Sequence, residues 1–389
     1  MDAPELLWLL LPLAAASGWL VARFEQKRQA RRSFDLPSAY FKGLNFLLNE
    51  QPDKAIEVFI RVLEVNSDTV ETHLALGNLF RRRGEVERAI RIHQNLIARP
   101  SLNREQRTQA LLELGQDYMN AGLLDRAESL FLELVELDAH TVRALQLLAD
   151  IYEQEKEWLK AIDISRRLEN RTNHRYNHII AHCYCELAVQ AKQQDDISGT
   201  EQWLEKALAS DWHCARASIL QGEIRLAAED YKGAIRAFKQ VEEQDPAYLP
   251  EVLEPLLQCY RELGRVKEMM QYLSDINQRH GGISPLLLLS RLMEGQEDMA
   301  SAATLLFEHL KKDASLRGLR QLIHTLEAKA QGVTHDELEQ INAIINKALE
   351  EAPLYVCSKC GFNGIAMHWK CPSCKQWNSI KPIQGLEWV

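Results

Sequence analysis

The sequence offers little to a catalyst. Its 12 histidines are scattered along 389 residues. No Ser/His/Asp set, glycine-rich nucleotide loop or motif-supported pair of catalytic carboxylates occurs. An excess of positive charge is also missing: 46 Lys plus Arg stand against 55 Asp plus Glu, a net charge of −9. That balance argues against nucleic acid as a partner and favours other proteins. Aromatic residues are only 7%, but with 26% charged residues the chain is not of the disordered type. Cysteine is sparse, eight in all, and Cys183, Cys185, Cys214 and Cys259 sit unpaired in helical segments. Such usage suits a reducing compartment.

Against these absences stands an internal repeat. Ala215 to Tyr248 spans 34 residues, with Gly222 at position eight, Ala234 at twenty, Phe238 at twenty-four, Val241 at twenty-seven and Pro246 at thirty-two. This is the tetratricopeptide pattern of two antiparallel helices. The small residues predict a close crossing where Gly222 faces Ala234, and Pro246 stops the second helix. The same register places Gly43, Ala55 and Phe59 in a unit starting at 36, and Gly77, Phe80 and Ala89 in one at 70. After an insertion it places Gly115, Tyr118, Ala127 and Phe131 in a unit at 108, then Ala149, Tyr152, Ala161 and Leu168 in one at 142. A weaker unit at 181 carries Ala188, with a polar turn over Gln193 to Gly199 and a first helix that begins early. Units at 249 and 283 and a helical pair over 316–353 complete an array over 36–353 of about eight units plus a terminal pair. The expected fold is all-α, a superhelical solenoid whose inner face, lined by the first helix of each pair, takes peptides or proteins.

Glu71, Leu74, Asn78 and Arg81 of one repeat and Arg143, Gln146, Asp150 and Glu153 of another fall on that face. They are mixed in character and name no ligand chemistry. Arg81-Arg82-Arg83 reads as a solvated turn or a partner contact. His182, Cys183 and Cys185 point in different directions on one helix, so they read as packing rather than metal ligands.

Residues 1–22 contain the 17-residue uncharged run Leu6 to Ala22. As a helix it spans about 26 Å, enough for a bilayer core. Trp8 and Trp19 lie near its ends; Asp2 and Glu5 precede it, and Arg23, Lys27, Arg28, Arg31 and Arg32 follow in a basic segment over 23–35. The positive-inside rule then predicts a single-pass anchor with its N-terminus outside the cytoplasm and the bulk of the chain inside. A buried soluble helix and a cleaved signal peptide, with Ala14-Ala15-Ala16 as cleavage site, are the alternatives; the acidic start and the basic cluster downstream speak against cleavage.

After Pro353 the character changes. Cys357-x-x-Cys360 and Cys371-x-x-Cys374 are two knuckles separated by ten residues, in a module over 354–389. Four thiolates at this spacing form a tetrahedral site for zinc or iron, with metal–sulfur bonds near about 2.3 Å for zinc. Gly361 and Pro372 suit the turns, and Tyr355, Phe362, Trp369 and Trp377 are expected to pack around the site. A filled shell leaves His368 no vacancy and favours a structural over a catalytic role. So small a module depends on its metal for stability.

The anchor, the repeat array and the tail with Tyr355-x-Cys357-x-x-Cys360-Gly361 and Cys371-Pro372-x-Cys374 together resemble the lipopolysaccharide assembly protein B family of Gram-negative bacteria, over the whole chain. The resemblance implies a rubredoxin-like metal module with Cys357, Cys360, Cys371 and Cys374 as its ligands. It also implies a non-enzymatic adaptor in the bacterial inner membrane. That adaptor would present the deacetylase that commits lipid A synthesis to a membrane-bound, ATP-dependent metalloprotease, and would gather other lipopolysaccharide-assembly proteins at the membrane. The metal module is expected to pack on the last repeats. A redox or metal-sensing protein, or a general chaperone-docking repeat protein, are the alternatives.

Overall fold

A computed structural model describes residues 38–49, 51–65, 70–328, 333–350 and 352–384. The expected anchor and basic segment lie outside the described residues. Among the described residues no helix is long and apolar enough to cross a membrane.

Eighteen α-helices follow one another among the described residues. They are α1 (Ser38–Leu48), α2 (Pro52–Val65), α3 (Val70–Arg82), α4 (Val86–Ile97), α5 (Arg104–Asn120), α6 (Leu124–Glu136), α7 (Thr141–Gln154), α8 (Trp158–Thr172) and α9 (Asn177–Gln193). There follow α10 (Ile197–Ser210), α11 (Ala215–Ala227), α12 (Tyr231–Gln244), α13 (Leu249–Glu262), α14 (Val266–His280), α15 (Ile283–Glu294), α16 (Met299–Leu310), α17 (Leu316–Glu327) and α18 (Val333–Glu350). Three short strands end the chain: β1 (Tyr355–Cys357), β2 (Asn363–Gly364) and β3 (Ile380–Pro382). The chain divides into two compact units, 1–151 and 152–389, and the division falls inside α7.

In the first unit, glycine and aromatic ring define the pairing. A Cβ on Gly43 would come within 2.6 Å of the Phe59 ring, and Gly115 bears the same relation to Phe131. Gly222 does so to Phe238 in the second unit. The position-eight glycine makes room for the position-twenty-four ring, and Ala234 is fully buried in the same core cluster as Phe238. In the second repeat His93 takes the ring's place beneath Gly77. Its imidazole is fully buried and pairs through Nδ1 with Asp117 Oδ2, while Asp117 Oδ1 accepts from Arg81 at 2.7 Å. Arg81 also meets Glu113 at 2.6 Å and Asn78 at 2.7 Å. It is thus neither a solvated turn residue nor free for a partner, but the tie between α3 and α5. Arg82 and Arg83 are exposed, and Arg83 pairs with Asp53 and Glu85. The insertion before the repeat at 108 lengthens α5, which opens on Asn103 with a reciprocal Asn103–Gln106 capping box.

In a core of the second unit Phe238, Val241, Tyr248, Leu256, Leu273 and Ile276 are fully buried. Its α9 begins at Asn177, ahead of the register, and the polar turn shrinks to 194–196. The shortening has a cause: Asp196 caps α10 by accepting from the Gly199 amide at 2.8 Å, which draws Ile197 to Gly199 into the helix. Cys183, Cys185, Cys214 and Cys259 are all buried thiols among the helices, and burial pushes Cys183 and Cys185 up, which keeps them inert.

Candidate metal centre

The tail is an antiparallel three-stranded sheet in the order β2-β1-β3, with Val356 opposite Asn363 and Cys357 opposite Ile380. Each knuckle closes on the same pair of backbone bonds. In the first, the Gly361 amide donates to the Cys357 carbonyl at 3.0 Å and the Cys357 amide to Phe362 O at 2.7 Å; in the second, Lys375 donates to Cys371 and Cys371 to Gln376, both at 2.9 Å. The chain then needs a left-handed residue just after each second cysteine. Gly361 supplies it at φ 74°, and Lys375 supplies it at φ 61°.

These turns bring Cys357, Cys360, Cys371 and Cys374 together, with all four Sγ atoms within 4.8 Å of one another. Cys357–Cys374 and Cys360–Cys371 are each 3.7 Å apart. The edge of a tetrahedron with about 2.3 Å zinc–sulfur bonds is about 3.8 Å, so the donor set fits a single zinc or iron ion. His368 is exposed and stands outside the cluster.

The sulfurs differ in how readily they ionise: against the Gln376 amide, burial and hydrogen bonds with the other three sulfurs push Cys374 up to about 11. Burial resists ionisation of Cys357, but the Ser379 hydroxyl at 3.4 Å and the amides of Lys359 and Cys360 outweigh it and bring its thiol down to about 6. The Phe362 amide lowers Cys360. When the ion is bound it holds the two knuckles to one another; four sulfurs fill its shell and leave no place for a substrate.

The aromatic residues divide in a way the spacing did not foretell. Tyr355 and Phe362 pack on the sheet's own small core of Cys357, Cys371 and Ile380. Trp369 and Trp377, which flank the second knuckle, turn away from the metal and enter the repeat array. Trp369 lies 4.8 Å from the Tyr248 ring, beneath the Arg216 guanidinium at 5.7 Å. Trp377 stacks on His182 at 5.0 Å and meets Trp158 edge-on at 6.4 Å.

Polar contacts follow the same line. Glu153 accepts from Lys370 Nζ and, at 3.1 Å, from Trp377 Nε1. The Tyr248 hydroxyl stands 2.7 Å from Asn378 Oδ1 and 3.0 Å from the Ile380 carbonyl. Lys381 pairs with Asp245, Tyr355 donates to Glu251 at 2.9 Å, Ser284 reaches Gln384 at 3.2 Å, and Arg317 donates to the Ile383 carbonyl at 3.4 Å. The tail is therefore seated against α7, α9, α11, α13, α15 and α17, the first helices of six successive pairs, rather than on the last repeats alone. Of the residues expected on the ligand-binding face, Glu153 is taken up by the chain's own tail. His182, read as ordinary packing, is a docking residue; its only sequence signal is a histidine on an otherwise apolar helix face.

Comparison with known proteins agrees with this architecture. The family described as rubredoxin metal binding domain matches residues 355–382, and tetratricopeptide repeat families match 72–107 and 112–173. Lipopolysaccharide assembly protein B of Escherichia coli K12 is 39% identical over 386 residues, covering 98% of this chain and 99% of that protein. The chain belongs to the lipopolysaccharide assembly protein B family. Its Haemophilus influenzae member is 35% identical over 393 residues, again with 98% of this chain and 99% of that protein covered. Among solved structures, the C-terminal part of a repeat protein from Cytophaga hutchinsonii aligns over 61% of this chain and 94% of its own, at 13% identity and a TM-score of 0.41. Family membership thus rests on full-length sequence identity, and the repeat-plus-ribbon order on the family matches.

Proposed function

We propose that this chain is a non-catalytic adaptor in lipopolysaccharide assembly, held at the bacterial inner membrane by residues 1–22. The observation that carries this reading is the seating of the tail. A metal module with a complete sulfur shell is built into the face of a repeat array, which makes a composite surface for protein contacts and provides no place for a substrate. The names of the full-length relatives supply the pathway. An adaptor of this design works by concentration: a tethered array that holds a soluble client beside a membrane machine raises their encounter rate without any chemistry of its own. The client in this reading is the deacetylase committing lipid A synthesis, and the machine is a membrane-bound ATP-dependent metalloprotease that degrades it. Other lipopolysaccharide-assembly proteins share the surface.

The test is the half-life of the deacetylase in cells whose only copy of this chain lacks residues 1–22 or carries Trp369→Ala with Trp377→Ala. A lengthened half-life in both, with each variant still abundant, supports the adaptor. Unchanged turnover in both would remove it.

A further inference from the structure

We infer that the repeat array is part of what holds the metal: Glu153, His182 and Tyr248, none of them a ligand, are positioning residues for the sulfur cluster, and metal occupancy and tail docking form one linked equilibrium. The inference does not depend on the adaptor reading.

The first ground is where the anchors sit in the chain. Trp369 and Lys370 immediately precede Cys371, and Trp377 follows Cys374 by three residues. One backbone bridge joins Lys370 to Trp377, and the Asn378 amide donates to the Trp369 carbonyl at 2.8 Å. The pairing that closes the second knuckle around two sulfurs is therefore the pairing that sets the two indoles side by side. An open knuckle cannot present both indoles to His182 and Tyr248, and a docked pair of indoles holds the knuckle shut.

The second ground is the segment Asn378–Ile380, which is gripped from both sides. Tyr248, fully buried, contacts Asn378 and the Ile380 carbonyl, while Ser379 between them reaches Cys357 Sγ at 3.4 Å. Burial pushes the Tyr248 hydroxyl up, so it remains a protonated donor. A repeat-array hydroxyl is thus two bonds' reach from a metal ligand of the first knuckle, as the indoles are from those of the second.

The third ground is the size of the tail's own core: among the described residues its cluster encloses Cys357, Cys371 and Ile380, with a few partly buried neighbours. That is too little apolar surface to order a module of this length, so its order comes from the ion and from the array. When two bindings each require the same ordered state, each strengthens the other by the same factor. Residues outside a metal's ligand shell that orient it typically change affinity by about 10- to 100-fold.

The experiment uses the zinc-loaded full-length chain and follows metal transfer to a chromogenic chelator. His182→Ala, Glu153→Gln and Tyr248→Phe are expected to speed release at least about tenfold, equivalent to about 1.4 kcal/mol. Ile365→Ser, on the exposed outer side of the tail, is expected to leave the rate unchanged. Tyr248→Phe removes a single hydroxyl, so its result stands even where another variant disturbs the repeats. Reciprocally, metal removal is expected to lower amide-exchange protection in α9 and α11. Release within twofold of the parent in all three docking variants would overturn the inference, as would unchanged protection of α9 and α11 after metal removal.

Discussion

The imidazole of His182 lies flat against the indole of Trp377, with 5.0 Å between ring centroids and 15° between planes. This contact ties the second knuckle of the metal module to the middle of the repeat array, across half the length of the chain. Because His182 is almost fully enclosed, burial lowers its pKa well below the usual histidine value, and the cations of Arg216 and Lys381 and the neighbouring His178 press in the same direction. It therefore stacks as the neutral ring.

A pH dependence follows, with a definite sign. The folded pKa of His182 lies below its unfolded value near 6.5, so the unfolded chain takes up a proton that the folded chain refuses. Its contribution is present above about pH 6.5 and is lost as pH falls below it. The melting temperature of the second unit is expected to drop more steeply between pH 7 and 5 in the parent than in His182→Phe, which keeps an aromatic face and cannot titrate. Parallel curves would refute the assignment.

Removal of an indole tests the docking itself. Trp377 is buried against His182 and Trp158, and truncation of a buried tryptophan costs about 3–5 kcal/mol. Trp377→Ala is expected to make the tail susceptible to limited proteolysis between α18 and β1 while the helical circular dichroism of the repeats is retained.

The cysteines are expected to differ in how much each carries beyond metal ligation. Cys371 is fully buried and its amide and carbonyl close the second knuckle, whereas Cys360 is exposed. Serine at either position should take bound metal from one ion per chain to a small fraction, measured by elemental analysis. Cys371→Ser should also lower the melting temperature further than Cys360→Ser does.

In the first unit the charged cluster under Gly77 is a separate test. Asp117→Ala leaves His93 and Arg81 without their shared carboxylate in a buried place, and the loss is expected to be about 3–5 kcal/mol in denaturant unfolding. Combining it with His93→Phe restores the ring found at Phe59 and Phe131 and should recover part of that loss. Strict additivity of the two substitutions would show that the pair does not interact.

Particular residues show what sequence could and could not convey. Gly43, Gly115 and Gly222 recur in register with Phe59, Phe131 and Phe238, because each pair of helices solves the same local packing problem. The two C-x-x-C knuckles are equally local: turn geometry alone brings each pair of sulfurs together. What sequence left hidden is non-local. Trp369 and Trp377 look like the covering of their own small module until the partner face, contributed by residues far earlier in the chain, is known. Arg81 looks solvated beside Arg82 and Arg83, yet a half-turn of α3 aims it at Glu113 and Asp117 of the following repeat. His182 carries no motif, since its role is defined by the ring that lands on it.

Glu153 and Lys370 are separated by 217 positions and meet in the finished molecule. At ribosomal speeds of about 5–20 residues per second, roughly 10–40 s pass between the synthesis of one and the other. Within that interval Trp158, then His182 and later Tyr248 are made, and each awaits the tail residues that will cover it. The newborn array is thus a transiently sticky object. The tail, made after the helices it covers, closes over that face, and its knuckles are drawn together by the ion they bind.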